Sequence, residues 1–252
     1  PGGLGRPGAP PLPLPHDDNQ ELRYAYPGAG APLTEVVDTT GNTGWRPSLA
    51  FDSQDRPHIL FRDDAGQTSL AVKNGGSWSF EVVNQSASSG PRGIAIDSQD
   101  RLHVVFLVSQ RLRYQVRGTG SWTVQEFEDD AFMPSITVDD ADRAHIAYLH
   151  WPTTDLALRY AHDAGVGWND TVVESVGTSV MSMPQGDTSI ATDGANRPHI
   201  AYQHVTDADL KYARHTGSQW VIEVVDSLGD VGDDVAIALD AAAGVGLELP
   251  VT

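Results

Sequence analysis

The sequence of 252 residues predicts an all-β fold, a five-bladed β-propeller with four-stranded blades, and three observations carry that prediction. The tetrad Arg-x-His-hydrophobic recurs four times, with its histidine at 58, 103, 145 and 199, so the steps are 45, 42 and 54 residues. Each tetrad closes a longer unit of one design: DSQDRPHILF (52–61), DSQDRLHVVF (97–106), DDADRAHIAY (139–148) and DGANRPHIAY (193–202). Around every tetrad lie short alternating strands bounded by Gly, Asp, Asn and Ser. A period of about 45 residues made only of strands gives one blade per repeat.

The elements follow in chain order. Residues 1–15 (PGGLGRPGAPPLPLP) show no helix or strand pattern, so residues 1–20 read as a Pro/Gly-rich tail or linker before a single propeller over 21–252. Strand A of each unit is SLAFD (48–52), GIAID (93–97), SITVD (135–139), SIATD (189–193) and VAIALD (235–240). Strand B carries the histidine tetrad. Strand C has the signature Leu-x-Tyr or Leu-x-Val, beginning at Leu22, Leu70, Leu112, Leu158 and Leu210. Strand D opens on Trp78, Trp122, Trp168 or Trp220 and runs into β-branched residues.

Four units are complete. The chain also starts with a C and D pair (22–26 and 33–38) and ends with an A and B pair (235–240 and 245–249). Joined, the two pairs make a fifth blade in a two-plus-two closure, which removes the open edges of a radial array.

Composition sets limits on function. With 34 acidic and 16 basic residues the net charge is −18, a field that repels nucleic acid and anionic lipid. Only Lys73 and Lys211 are lysines, against fourteen arginines, which reads as GC-rich coding or salt adaptation. Zero cysteines exclude disulfides, thiolate metal sites and cysteine nucleophiles. No apolar run approaches the roughly 18 residues of a membrane-spanning helix, so membrane insertion is not expected. The sequence shows neither an initiator Met nor a signal-peptide core, as in a mature form.

Residues that recur in every blade are first explained by what every blade needs. The Asx-rich A–B turns bond their own backbone, and their Arg is expected to pair with a turn carboxylate. The repeated histidines are expected to be satisfied residues packed between blades, not a ring of metal ligands, since the last unit has Gly246 in that place. No cofactor is implied, although the acidic turns leave Ca²⁺ open without matching an EF-hand loop.

Function is expected where the repeats differ, on the face of B–C and D–A connections. The longest are 149–155, with His150, Trp151 and Asp155, and 175–187, with Met181 and Met183; His204 and Asp207 come from the fourth unit, and Trp45 from another D–A loop. A Trp ring beside polar groups suits sugar stacking, although Trp151 also suits a plug of the channel mouth. His150, Trp151, Asp155, His204 and Asp207 are therefore the candidate ligand-binding residues. The acidic pairs Asp63-Asp64, Asp129-Asp130 and Asp233-Asp234 reach the same face and would allow two-carboxylate glycoside chemistry.

The unit PSLAFDSQDRPHILF…LRYA…GSWTVQ resembles the repeats of bacterial secreted or surface β-propellers, distantly sialidase and BNR-type ones, from about residue 21 to 249. The sialidase Asp-box S-x-D-x-G-x-T-W is absent, and the blade count is similar to that of tachylectin-type lectins. The resemblance implies a secreted, periplasmic or cell-surface setting. Three readings follow: a non-catalytic propeller recognising a glycan or protein partner through its variable face; a glycan-active hydrolase or lyase using carboxylates there; and a structural subunit of a larger assembly.

Overall fold

A computed structural model describes residues 12–14, 21–29, 31–41, 43–85, 91–127, 129–152, 155–178, 187–232, 234–240 and 245–248. Every regular element among them is a β-strand, and the chain divides into two compact units, 1–91 and 92–252.

The first unit holds β1 (Leu12–Leu14), β2 (Leu22–Tyr26), β3 (Leu33–Asp38), β4 (Trp45–Phe51), β5 (Pro57–Arg62), β6 (Thr68–Asn74) and β7 (Ser77–Asn84). These form a three-stranded sheet β1-β2-β3 and a four-stranded sheet β4-β5-β6-β7, antiparallel throughout. Two expectations change here. Residues 12–14, read from sequence as linker, pair with β2 in the register Leu12↔Ala25. Pro13 lacks an N–H, and the edge of a sheet is where such a strand is tolerated. Its place on β2 is the edge that the two-plus-two closure reserves for a C-terminal strand, so that closure is not the pairing seen.

The second unit holds β8 (Pro91–Ile96), β9 (Leu102–Val108), β10 (Arg111–Arg117) and β11 (Thr123–Glu126) in one sheet. The next is β12 (Ala131–Val138), β13 (Ala144–His150), β14 (Asp155–Asp163) and β15 (Trp168–Thr178). The third is β16 (Thr188–Thr192), β17 (Pro198–His204), β18 (Asp209–His215) and β19 (Trp220–Asp226). Last, β20 (Ala236–Leu239) and β21 (Val245–Glu248) pair as a two-stranded sheet.

Burial follows the strand position. The strands of the histidine tetrad (β5, β9, β13, β17) are buried almost end to end, which explains their near-continuous apolar runs. The last strands β7 and β11 are mostly exposed. Apolar faces of neighbouring sheets meet in the cores: Leu22, Tyr24 and Val37 with Ile59, Phe61 and Ala71 in the first unit, and Leu112 and Tyr114 with Ile146, Tyr148 and Ala161 in the second. Full burial of one such side chain contributes roughly 1.5–3 kcal/mol.

The predicted variable loops are shorter than the sequence suggested. Leu149 and His150 complete β13, Asp155 opens β14, and β15 runs to Thr178 across two bulges. Trp45, placed in a loop from sequence, begins β4, which crosses a bulge before Ser48. Bulges carry each strand past the point where period-two alternation stops.

Candidate functional site

The repeated turn is a polar unit built to one plan. In each four-stranded sheet the first Asp accepts two backbone N–H groups through Oδ1, from Gln54 and Arg56, Gln99 and Arg101, Ala141 and Arg143, or Ala195 and Arg197, at 2.8–3.0 Å. Its Oδ2 accepts the Arg Nε at 2.5–2.9 Å. The fourth turn residue (Asp55, Asp100, Asp142, Asn196) has φ of +56° to +60°, a left-handed conformation that Asp and Asn tolerate. The expected Asx turn and Asp–Arg pair are both present.

The histidines face the same carboxylates. Nε2 lies 3.0–3.4 Å from Oδ2 of Asp52, Asp97, Asp139 and Asp193. On the other side, Nδ1 of His103, His145 and His199 accepts the hydroxyl of Tyr114, Tyr160 and Tyr212 at 2.5–2.7 Å. The histidines are buried and satisfied, and all these polar partners belong to the histidine's own sheet, because strand C places its Tyr beside strand B. Burial pushes His103 and His145 below the usual imidazole range, against the pull of Asp97 and Asp139. Burial would raise the carboxylates, but the converging donors outweigh it and hold Asp97 and Asp139 low, with Asp52 at about 2. At His103, His145 and His199 both ring nitrogens are thus engaged within the fold, as structural groups are.

The sequence-predicted site residues cluster only in part. Trp151 is partly buried against the apolar cluster containing Phe132, Leu156 and Val176, its ring 6.0 Å from Phe132, and Val205 packs on the same cluster. Its Nε1 is buried and has no hydrogen-bond partner among the described residues. His150 and His204 are buried at the ends of β13 and β17. His204 Nδ1 lies 3.1 Å from Oδ2 of the exposed Asp207. Asp155 is exposed at the start of β14. Thr206 donates its N–H to the Val176 carbonyl at 3.3 Å, which docks the 204–208 turn on β15. Met181, Met183 and Asp233 lie outside the described residues.

In two of the acidic pairs one carboxylate is engaged locally. Asp63 accepts Gln67 N–H and Ser69 Oγ within its own hairpin, and Asp129 is held by Arg111 at 2.6 Å. Among the described residues no three His, Asp or Glu converge as a metal-ligand set.

A different constellation lies in the first unit, where sheets β1–β3 and β4–β7 face each other. Tyr24 and Glu35 are cross-strand partners, as are Lys73 and Trp78. The Lys73 ammonium sits 5.7 Å from the Tyr24 ring centroid, 5.3 Å from Tyr26 and 5.7 Å from Trp78, and donates to Glu35. Trp78 Nε1 donates to the same carboxylate oxygen at 3.1 Å. Toward the core this face is apolar; outward, Tyr26, Trp78, Lys73 and Glu35 are partly exposed, Lys73 and Glu35 at 22% and 28%. The sequence held a signal for it: both lysines of the chain make ion pairs with an acid on the preceding sheet, Lys73 with Glu35 and Lys211 with Glu174.

No protein-family model and no curated protein sequence matches the chain. Solved structures do match in fold. The Aleuria aurantia lectin AAL, a point mutant in complex with Fucα1-6GlcNAc, superposes with TM-score 0.64 at 14% identity over 93% of this chain and 82% of that one. The SapL1 lectin in complex with α-methyl fucoside gives 0.56 at 12% over 77% and 67%. A polysaccharide lyase, the PL25 ulvan lyase bound to -[GlcA(1-4)Rha3S]-, gives 0.52 at 12% over 92% and 74%. These neighbours support the propeller in the resemblance drawn from sequence, and carry neither its bacterial origin nor its sialidase-type repeats. At such identities the likeness shows the fold alone, and that fold is a β-propeller.

Proposed function

We propose that the chain is a non-catalytic carbohydrate-binding propeller, with its saccharide site at the rim where the first two sheets face each other. The observation that carries this reading is the convergence of two partly exposed rings, Tyr26 and Trp78, on the Lys73–Glu35 pair. A pyranose presents an apolar C–H face to an aromatic ring while its hydroxyls bond a carboxylate and an ammonium. The two lectins of similar fold are complexed with fucosides, which is consistent with this ligand class. Tryptophan fluorescence titrated with a panel of methyl glycosides tests it. Saturable quenching that disappears in Lys73→Met is expected; a flat response to every glycoside would refute the proposal.

For the loop face, His150, Trp151, Asp155, His204 and Asp207 are proposed as a partner-binding surface. The exposed Asp155 and Asp207, with a Trp151 Nε1 that has no hydrogen-bond partner among the described residues, favour it. Trp151→Phe keeps most of the packing and removes the donor; unchanged partner capture by this variant would argue against the surface. The hydrolase or lyase alternative has the ulvan lyase as a neighbour of similar fold, and release of new reducing ends from polysaccharides would support it. A setting outside the cytoplasm accompanies the glycan reading. The five-blade count remains a proposal resting on the repeat arithmetic, and it requires a C-terminal strand to replace β1 beside β2.

A further inference from the structure

The same facing of sheets recurs wherever two described sheets pack within a unit, so the copies can be compared residue by residue. On the face of β8–β11 against β12–β15, Tyr114 takes the place of Tyr24 and its cross-strand partner is Gln125 where Tyr24 has Glu35. The position of Lys73, one residue after the third of the Leu-x-Tyr/Val signature, is Ala161. Trp168 is wedged between Tyr114 and Phe127, both 4.9 Å away, so an aromatic side chain lies beside Tyr114 as the lysine lies beside Tyr24 in the first unit. On the face of β12–β15 against β16–β19, Tyr160 pairs with Thr171 and the lysine position is Ala213. There Trp220 packs on Tyr160 at 5.3 Å and His215 at 5.1 Å. Tyrosine–tryptophan packing is thus common to three faces, and the acid with its cation belongs to one.

The second lysine does not make a second site. Lys211 bonds Glu174 at 2.9 Å, and the hydroxyl of Tyr202 donates to the same carboxylate, but the Tyr202 ring is wholly buried and offers no face to a ligand. In the first unit two of the three rings beside the ion pair, Tyr26 and Trp78, are partly exposed, while Tyr24 is buried. A lysine–carboxylate pair flanked by partly exposed Tyr and Trp rings is found, among the described residues, at this place.

Charge selects the ligand. Lys73 and Glu35 cancel formally, while the chain as a whole carries −18, a field that opposes uronates and sulfated sugars. Neutral hydroxyls meet no such penalty and find both an acceptor and a donor.

Resting on the carbohydrate reading above, we infer that the chain takes one neutral saccharide per molecule, at the Tyr26–Lys73–Trp78–Glu35 cluster, and has no equivalent site at its other tyrosine–tryptophan faces. Isothermal titration of the full chain with neutral methyl pyranosides (fucoside, galactoside, glucoside and mannoside) and with sodium glucuronate reads this directly. The expected result is a stoichiometry of one for the neutral binder, at least tenfold weaker binding of glucuronate, and at least tenfold loss in Lys73→Met and Glu35→Gln at unchanged melting temperature. Gln125→Ala, Thr171→Ala and Lys211→Met should bind like the parent. A stoichiometry of two or more, tight glucuronate binding, or loss in the Gln125, Thr171 or Lys211 variants would overturn the single neutral site and leave the carbohydrate reading standing. Absence of binding by every sugar would overturn both.

Discussion

His103 Nε2 lies 3.0 Å from Asp97 Oδ2 while its Nδ1 accepts the Tyr114 hydroxyl at 2.7 Å, so the neutral imidazole is satisfied at both ends. The same arrangement at His145 joins Asp139 to Tyr160. A proton added to Nδ1 would meet the tyrosine's own O–H, and the ring is buried besides.

This sets a pH dependence. Both histidines are harder to protonate folded than unfolded, so unfolding takes up protons once the pH falls below the unfolded value of about 6.5. Stability should therefore decline from pH 7 toward 5. The carboxylates Asp52, Asp97 and Asp139 are held low, so a second loss should begin below about pH 4 and continue toward 2. Melting curves from pH 8 to 3, in enough salt to screen the surface, should show a plateau above 7 and two descending steps. A melting temperature that rises between pH 7 and 5 contradicts the buried neutral pair.

The tyrosine arm should be worth a measurable amount. Tyr160→Phe leaves His145 Nδ1 without its donor in a buried site, a cost of about 1–2 kcal/mol. The first repeat carries Val72 at this position, so the fold accepts an apolar residue there. Denaturant titration of Tyr160→Phe with an unchanged midpoint would show that the hydroxyl adds nothing.

Gly177 is required by contact and by conformation. Its φ is +129°, and a Cβ there would collide with the Thr206 side chain, its Oγ1 above all. Gly177→Ala should push the 204–208 turn off β15 and cost roughly 2–4 kcal/mol. Amide exchange at Thr206, whose N–H bonds the Val176 carbonyl, should accelerate in the variant. Parent-like protection there would show that the turn is held by other contacts.

Removal of residues 21–38 tests how far the first sheet is integral. It deletes Leu22, Tyr24 and Val37 from a core shared with Ile59, Phe61 and Ala71, and leaves a sheet face bare. Loss of cooperative unfolding or aggregation is expected. A truncated chain that melts like the parent would make β2 and β3 dispensable.

Much of the architecture could be read from local chemistry. The spacing of His58, His103, His145 and His199 marked the repeat, and the Asx-rich sequence between strands A and B marked the turn, whose fourth residue the structure shows to be left-handed. Both are properties of neighbouring residues, as were the limits of β2 and β3, predicted and observed at 22–26 and 33–38. Three features depended on residues distant in sequence. Leu12–Leu14 became a strand because β2 offered an unpaired edge, which no local propensity of a proline-rich segment announces. The histidines found their hydrogen-bond partners six residues back and eleven to fifteen residues ahead, on neighbouring strands of the same sheet. Glu35 and Lys73 stand 38 residues apart and meet only because two sheets pack face to face. Alternation and turn chemistry act within a few residues and specify strands; a site assembled from two sheets exists only after burial of the apolar faces has brought their rims together.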